Sequence, residues 1–251
     1  MIIRPEQMQI FSADVEQRFL RQLVEELHQF APWHAAILGD SGLETCVQFA
    51  ARRARRYGFT NRGPIRLYLQ MVFLLGAEFD SDPLLPWAGR ILADSSIDGQ
   101  TDRATQLYQA LGEYLTHVAG PGNRYAKDAL RRAAEELAHD FDAGDRDLDQ
   151  LVFEKLQYVY PEKCRYAGDE AVHASIRSAQ AAAGRNAAAG ARGTLLFCGL
   201  TFAVGHGFET DPHLPWIRKT LRDPALTEDR LVERLSARVK TYLAHVITHV
   251  T

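Results

Sequence analysis

Histidine is the side chain whose spacing here could most directly do chemistry. His245 and His249 lie four residues apart, which would place both imidazoles on one face of a helix, as in many metal-binding pairs. No glutamate follows His245, as it would in the zinc-protease pattern. His245 also belongs to a Tyr-Leu-x-His-Val segment that occurs earlier in the chain with His117. His206 stands between two glycines and is weak evidence for a catalytic base. Histidines near a helix end, stabilised by the helix dipole, are the simpler interpretation.

Carboxylates are the second set of candidate ligands, because four of them lie in one repeated loop: Asp80, Asp82, Glu209 and Asp211. They could in principle bind calcium, but neither loop has EF-hand spacing. The sequence also has no Gly-x-Ser-x-Gly, no phosphate-binding glycine loop and no His-Glu-x-x-His. We therefore expect no cofactor, no metal and no catalytic residue. A metal-dependent enzyme that uses His245, His249 and the acidic loops is the unfavoured alternative.

The acidic loop occurs twice, at an offset of 129 residues from Gly76 to Gly205. Segment 76–87 reads Gly-Ala-Glu-Phe-Asp-Ser-Asp-Pro-Leu-Leu-Pro-Trp, and segment 205–216 reads Gly-His-Gly-Phe-Glu-Thr-Asp-Pro-His-Leu-Pro-Trp. Seven of the twelve positions are identical, and the same offset relates further residues on both sides. The pattern indicates an internal duplication.

The remaining sequence predicts helices. Apolar residues recur at intervals of three and four, as along one face of a first helix: Val15, Phe19, Leu23, Leu27 and Phe30. The breaker cluster 119–123 separates the two copies, and a charged helix follows it. We predict an all-α fold of two tandem homologous helical units, with about four to five helices each, joined by a linker helix. The first unit is 1–122, the linker helix is 123–143 and the second unit is 144–251.

The repeated loop has a structural and a functional interpretation. In the structural one, which we favour, Asp82 and Asp211 cap helices, the prolines fix φ, and Trp87 and Trp216 fill gaps between helices. In the functional one, the two loops are paired elements that bind another protein. The tryptophans would then be anchors, since tryptophan is common among interface hot spots.

A dense basic patch in the first unit is the second candidate for protein binding: Arg52, Arg53, Arg55 and Arg56. A solvated helix face is the simpler interpretation, and a surface that docks an acidic protein is the alternative. Nucleic acid is not an expected partner, because the formal net charge is -3 and the pI is about 6.3.

Composition favours a cytoplasmic globular protein. The longest apolar stretch, 194–204, is shorter than the roughly 20 residues of a membrane span, so we expect no membrane partner. No targeting segment is visible. Cys46, Cys164 and Cys198 include no Cys-x-x-Cys pair, which fits a reducing compartment.

The first unit resembles small all-helical accessory proteins encoded with type VI secretion system effectors and effector adaptors. The resemblance spans most of residues 1–118 and rests on four segments: Tyr-Gly-Phe 57–59, Leu-Gly 75–76, Phe-Asp-Ser-Asp-Pro 79–83 and Pro-Trp-Ala 86–88. The second unit departs from the pattern at Glu209 and Ile217 and lacks Tyr-Gly-Phe. Any function of that segment is therefore expected in the first unit.

This resemblance implies a non-catalytic accessory protein that assists effector loading by an adaptor, as a co-adaptor or chaperone. Its partner would be an effector adaptor, an effector or a toxin. The alternative implied by the same resemblance is an immunity protein that binds and neutralises a co-encoded toxin.

Overall fold

The computed structural model describes residues 5–139 and 147–250, with side chains described for 14–139 and 147–248. All regular structure in these ranges is helical, and no described residue lies in a strand, so the predicted all-α class is confirmed. Across the same ranges, no helix is both long and apolar enough to span a bilayer.

The first unit contains five helices: α1 Pro5–Phe30, α2 Pro32–Arg56, α3 Arg62–Leu75, α4 Pro86–Ala93 and α5 Gln100–Val118. Proline opens α2 and α4, where its missing N–H would have no helical partner. Within α2 the backbone breaks at Gly39, whose φ is 62°.

The linker is a 3-10 turn, Pro121–Asn123, followed by α6, Arg124–Ala138. The predicted linker helix ended at residue 143, and 140–143 lie outside the described residues. The second unit contains α7 Leu148–Val159, α8 Pro161–Ala167, α9 Asp169–Arg185, α10 Ala191–Val204, α11 Pro215–Leu221 and α12 Glu228–Val250. In its described residues this unit has six helices, one more than predicted. In the first unit the break at Gly39 lies within α2, whereas in the second unit the equivalent break at Gly168 separates α8 from α9.

The two units adopt matching local conformations at the offset of 129. Helices α3 and α10 both have 14 residues, and each ends at a glycine with φ near 100°. The residue before each short helix has almost the same dihedral angles, with φ -124° and ψ 49° at Leu85 and φ -123° and ψ 53° at Leu214. A common origin of the two units would require such matching conformations, and it stays a prediction.

The two units do not have separate cores. Leu84 of the first unit is buried in a cluster of second-unit side chains that includes Val152 and Phe202. In the opposite direction, Tyr160 and Tyr166 of the second unit pack against the core of the first. The folding energy from burying these side chains therefore depends on both units being in place.

The units meet where the C-terminal ends of α3 and α10 approach each other. A Cβ atom at Gly76 would lie 2.3 Å from the carbonyl oxygen of Val204, and one at Gly205 would lie 3.1 Å from that of Leu75. Both glycines also have a positive φ. Only glycine combines this backbone conformation with so close an approach.

Hydrogen bonds cross this contact reciprocally. Asp82 Oδ2 accepts the backbone N–H of His206 at 3.1 Å, and Asp211 Oδ2 accepts that of Ala77 at 3.2 Å. The second oxygen of each carboxylate accepts a backbone N–H of its own loop, from Leu84 or His213, at 2.8 Å. We call these crossed bonds and the two glycines the junction.

Replacing Gly76 by alanine tests the close approach. Gly99 is a matched control, because its φ of 84° and ψ of 152° resemble those of Gly76 but its added Cβ would have no atom within 4 Å. We expect a backbone cost of about 1–3 kcal/mol in both variants. Gly76→Ala should lose about 1–3 kcal/mol more from steric overlap. Urea unfolding measures both, and equal losses would contradict the close approach.

Candidate functional site

The predicted binding aspartates are buried at the junction. Asp82 and Asp211 are 4% and 3% exposed, and both oxygens of each carboxylate accept backbone N–H groups. The predicted helix-capping role is wrong, because the N-cap residues of α4 and α11 are Leu85 and Leu214 and neither helix has a side-chain cap. Both aspartates instead connect their own loop to the opposite one. In the part of the chain that the structure describes, no group of three or more His, Cys, Asp or Glu side chains could hold a metal ion.

The four arginines of α2 do not share one surface. Arg52, Arg55 and Arg56 are exposed, and Arg55 pairs with Glu16 of α1. Arg53 points inward instead, with Nη2 2.6 Å from Asp80 Oδ1 and Nη1 3.2 Å from Glu78 Oε1. A basic surface on this helix therefore consists of three arginines.

Asp80 is the centre of a charged network beside the junction. It accepts hydrogen bonds from Arg53, from the hydroxyl of Tyr68 at 2.7 Å and from that of Tyr57 at 2.9 Å. Burial disfavours the carboxylate, but these donors outweigh burial and hold the pKa of Asp80 below its ordinary value. Burial and the nearby carboxylate raise the pKa of Tyr57 to about 12. Asp80 is thus an ionised, fully hydrogen-bonded group of the core.

His206 joins this network from the second unit. Its Nε2 atom lies 3.4 Å from Glu78 Oε2 and 3.2 Å from Ser81 Oγ. A serine nucleophile and its orienting carboxylate use opposite nitrogens of the catalytic imidazole, whereas both contacts here involve the same nitrogen. The arrangement is an ion pair between the units. Burial opposes the charge, but Glu78 and the neighbouring aspartates raise the pKa of His206 above its ordinary value.

Aromatic side chains from both units surround a pocket of about 260 Å³, which we call the aromatic pocket. Its lining is Trp33, His34, Ile37, Leu38, His213, Trp216, Arg238, Thr241, Tyr242 and His245. The ring of Tyr242 lies 5.5 Å from that of Trp33 and 5.8 Å from that of Trp216. The start of α2 supplies one wall, and α11 and α12 supply the other.

The two tryptophans of the repeated loop differ in exposure. Trp87 is 8% exposed, with its ring 6.0 Å from that of Tyr114. Trp216 is half-buried and lines the aromatic pocket. Ile37, on the same pocket, is 58% exposed. Of the predicted protein-binding residues in the loop, Trp216 is therefore the one placed where a partner could reach it.

His34 contributes a neutral side chain to the aromatic pocket. Burial, and to a smaller extent His213, lowers the pKa of His34 to about 4, so that imidazole is neutral at physiological pH. His213 Nδ1 lies 2.7 Å from Asp211 Oδ1, which fixes the orientation of its ring. The aromatic lining suits an apolar or aromatic group. Of the predicted His245–His249 pair, the side chain of His249 lies outside the described residues.

Sequence reasoning did not find Trp33, Ile37 or Tyr242. One signal was present: Trp33 has Glu162 as its counterpart at the repeat offset, so this tryptophan is not required by the repeated scaffold. Nothing in the spacing of residues 33 and 242 indicates that they meet.

Comparison of the chain with protein-family models, with curated proteins and with solved structures finds no match. The functional proposal therefore depends on the chain's own side chains and on the resemblance of its first unit.

The His206 ion pair predicts a pH-dependent stability. Because the folded-state pKa of His206 is raised above its unfolded value of about 6.5, its stabilisation is complete below that pH. The stabilisation is lost as the pH rises through the folded-state pKa. Replacing His206 by alanine, the residue at the equivalent position 77, should therefore cost about 1 kcal/mol at pH 6 and less at pH 9.

Denaturant unfolding of wild type and His206→Ala across this range measures the difference. In a Glu78→Gln background the pH-dependent part should shrink, because the main partner has lost its charge. A difference that grows with rising pH would contradict the ion pair.

Proposed function

We propose that the chain is a non-catalytic protein-binding protein that receives a side chain of its partner in the aromatic pocket. The observation that carries this proposal is the exposed apolar edge of the pocket: Ile37 is 58% exposed beside Trp33, Trp216 and Tyr242. Interface hot spots are typically aromatic residues around a pocket from which binding removes water. Exposed apolar surface of this kind commonly marks an interaction site.

The basic residues of α2 complement this pocket. The pocket residues Trp33–Leu38 precede the break in α2, whereas the exposed Arg52, Arg55 and Arg56 lie in its last two turns. A partner with an apolar anchor and an acidic surface would match both ends of the helix. Charges at the edge of an interface mainly accelerate association, and a buried anchor slows dissociation.

The biological setting follows from the resemblance of the first unit. We propose that the protein is an accessory protein of a bacterial type VI secretion system, a co-adaptor or chaperone that assists effector loading. Its partner is then an effector adaptor or an effector. Immunity against a co-encoded toxin would require the same binding activity, together with rescue of cells that express the toxin.

Ile37→Asp is the direct test of the pocket, with Val15→Asp as its control. Both are β-branched residues on helices, 58% and 50% exposed, and only Ile37 lines the pocket. Affinity for the purified products of the flanking genes is measured by calorimetry. We expect Ile37→Asp to lose about 30-fold or more, the equivalent of 2 kcal/mol, at unchanged thermal stability. Val15→Asp should bind as wild type does.

Two results would contradict the proposal. If none of the flanking gene products binds, the accessory role is wrong. If one binds and Ile37→Asp has wild-type affinity, the role stands but the aromatic pocket is not the site. Growth rescue from a flanking toxin would favour immunity over effector loading.

A further inference from the structure

A second and larger cavity, of about 690 Å³, lies between α5, α6, α7, α10 and α12. We call it the apolar cavity, because most of its wall is aliphatic, for example Leu115, Leu130, Leu137, Leu200, Val239 and Leu243. Its volume is within the range of about 300–1,000 Å³ that is typical of small-molecule sites. Gly199 is an exposed residue of the lining, and a Cβ atom added there would meet no atom within 4 Å.

Lys163 is a half-buried cation in the wall of this cavity. Its ammonium donates a hydrogen bond to the carbonyl of Phe202 and lies 4.9 Å from the centre of that residue's ring. Among the described residues it forms no ion pair, although an ammonium has three N–H donors. Burial lowers its pKa, and the charge of Asp82 opposes that effect. A partly desolvated charge with so few direct partners is costly unless a ligand completes its shell.

The shared scaffold does not require this lysine. At the offset of 129 its counterpart is His34, which lies beside Phe73 and Asp211 as Lys163 lies beside Phe202 and Asp82. His34 is neutral there. The equivalent niche of the first unit therefore has no charge, so the repeated scaffold alone does not explain the ammonium.

The charges around the apolar cavity favour an anion. Two carboxylates line it. Glu136 pairs with Lys155, and both oxygens of Asp82 accept backbone N–H groups. The lining holds four Lys or Arg side chains against these two carboxylates, so basic groups are in excess: Lys155, Lys163, Arg192 and Lys240.

We propose that the apolar cavity binds a single-chain anionic amphiphile, with its head group on the Lys163 ammonium and its hydrocarbon chain along the aliphatic wall between α6, α10 and α12. The wall excludes water from the chain, which supplies most of the binding energy. The head group gives Lys163 a direct ion-pair partner, which it lacks among the described residues although the charge of Asp82 lies nearby. The proposal does not rest on partner binding, although Trp216 and Tyr242 line both the apolar cavity and the aromatic pocket.

Dodecanoate and 1-dodecanol are matched probes, since they share a chain and differ in the charge of the head group. Binding to the full chain is measured by calorimetry below the aggregation concentration, with native mass spectrometry for stoichiometry. We expect one dodecanoate per chain. Dodecanol should bind at least about tenfold more weakly, because a hydrogen bond to a charged group contributes about 1.5–3 kcal/mol.

Lys163→Met should remove the preference for dodecanoate while dodecanol still binds. Lys163→Arg should restore the preference. Gly199→Phe, which places a ring in the open part of the cavity, should prevent binding of both probes, and circular dichroism verifies that each variant is folded. Absence of dodecanoate binding to wild type would overturn the proposal. So would equal affinities for the two probes, or a preference that persists in folded Lys163→Met.

Discussion

The structure depends on the crossed hydrogen bonds of the junction. A carboxylate from each unit uses one oxygen to order its own loop and the other to accept a backbone N–H of the opposite loop. Gly76 and Gly205 allow the backbones to come close enough for these bonds. Since buried N–H groups without acceptors are costly, neither unit can present this surface alone without penalty. The aromatic pocket and the apolar cavity both follow from this constraint, because each has walls from both units.

The two units have similar local backbone conformations at the offset of 129 but present different side chains there. Leu84 corresponds to His213 and Ala77 to His206, and Lys163 corresponds to His34. As a result, the niche near Asp211 holds the neutral imidazole of His34 and lies beside the aromatic pocket, whereas the niche near Asp82 holds the Lys163 ammonium and lies beside the apolar cavity. A symmetric arrangement of backbone thus supports two chemically different sites.

The sequence predicted those features that local spacing determines. The repeat offset and the helical class both depend on residues close together in the chain. The predicted capping role of Asp82 and Asp211 was wrong, because the short helices begin four residues after each aspartate and the carboxylates order the loop instead. The sequence did not predict that each aspartate also accepts a backbone N–H of the other unit, because no residue nearby in the sequence identifies that donor. It wrongly grouped Arg53 with the exposed arginines of α2, because nothing in the local spacing shows that Glu78 and Asp80 lie against that side of the helix. The exposure of Trp216 depends on neighbours in α2 and α12, far away in sequence.

The central claim is that the two units fold as one body through the junction. Native-state hydrogen exchange at the amides of Ala77 and His206 tests it most directly, in wild type and in Asp211→Ala. The account predicts that in wild type both amides exchange only through global unfolding. In Asp211→Ala, which removes the acceptor of Ala77, the free energy of opening should fall by about 1–3 kcal/mol at both amides. A fall at Ala77 with unchanged protection at His206 would contradict the claim.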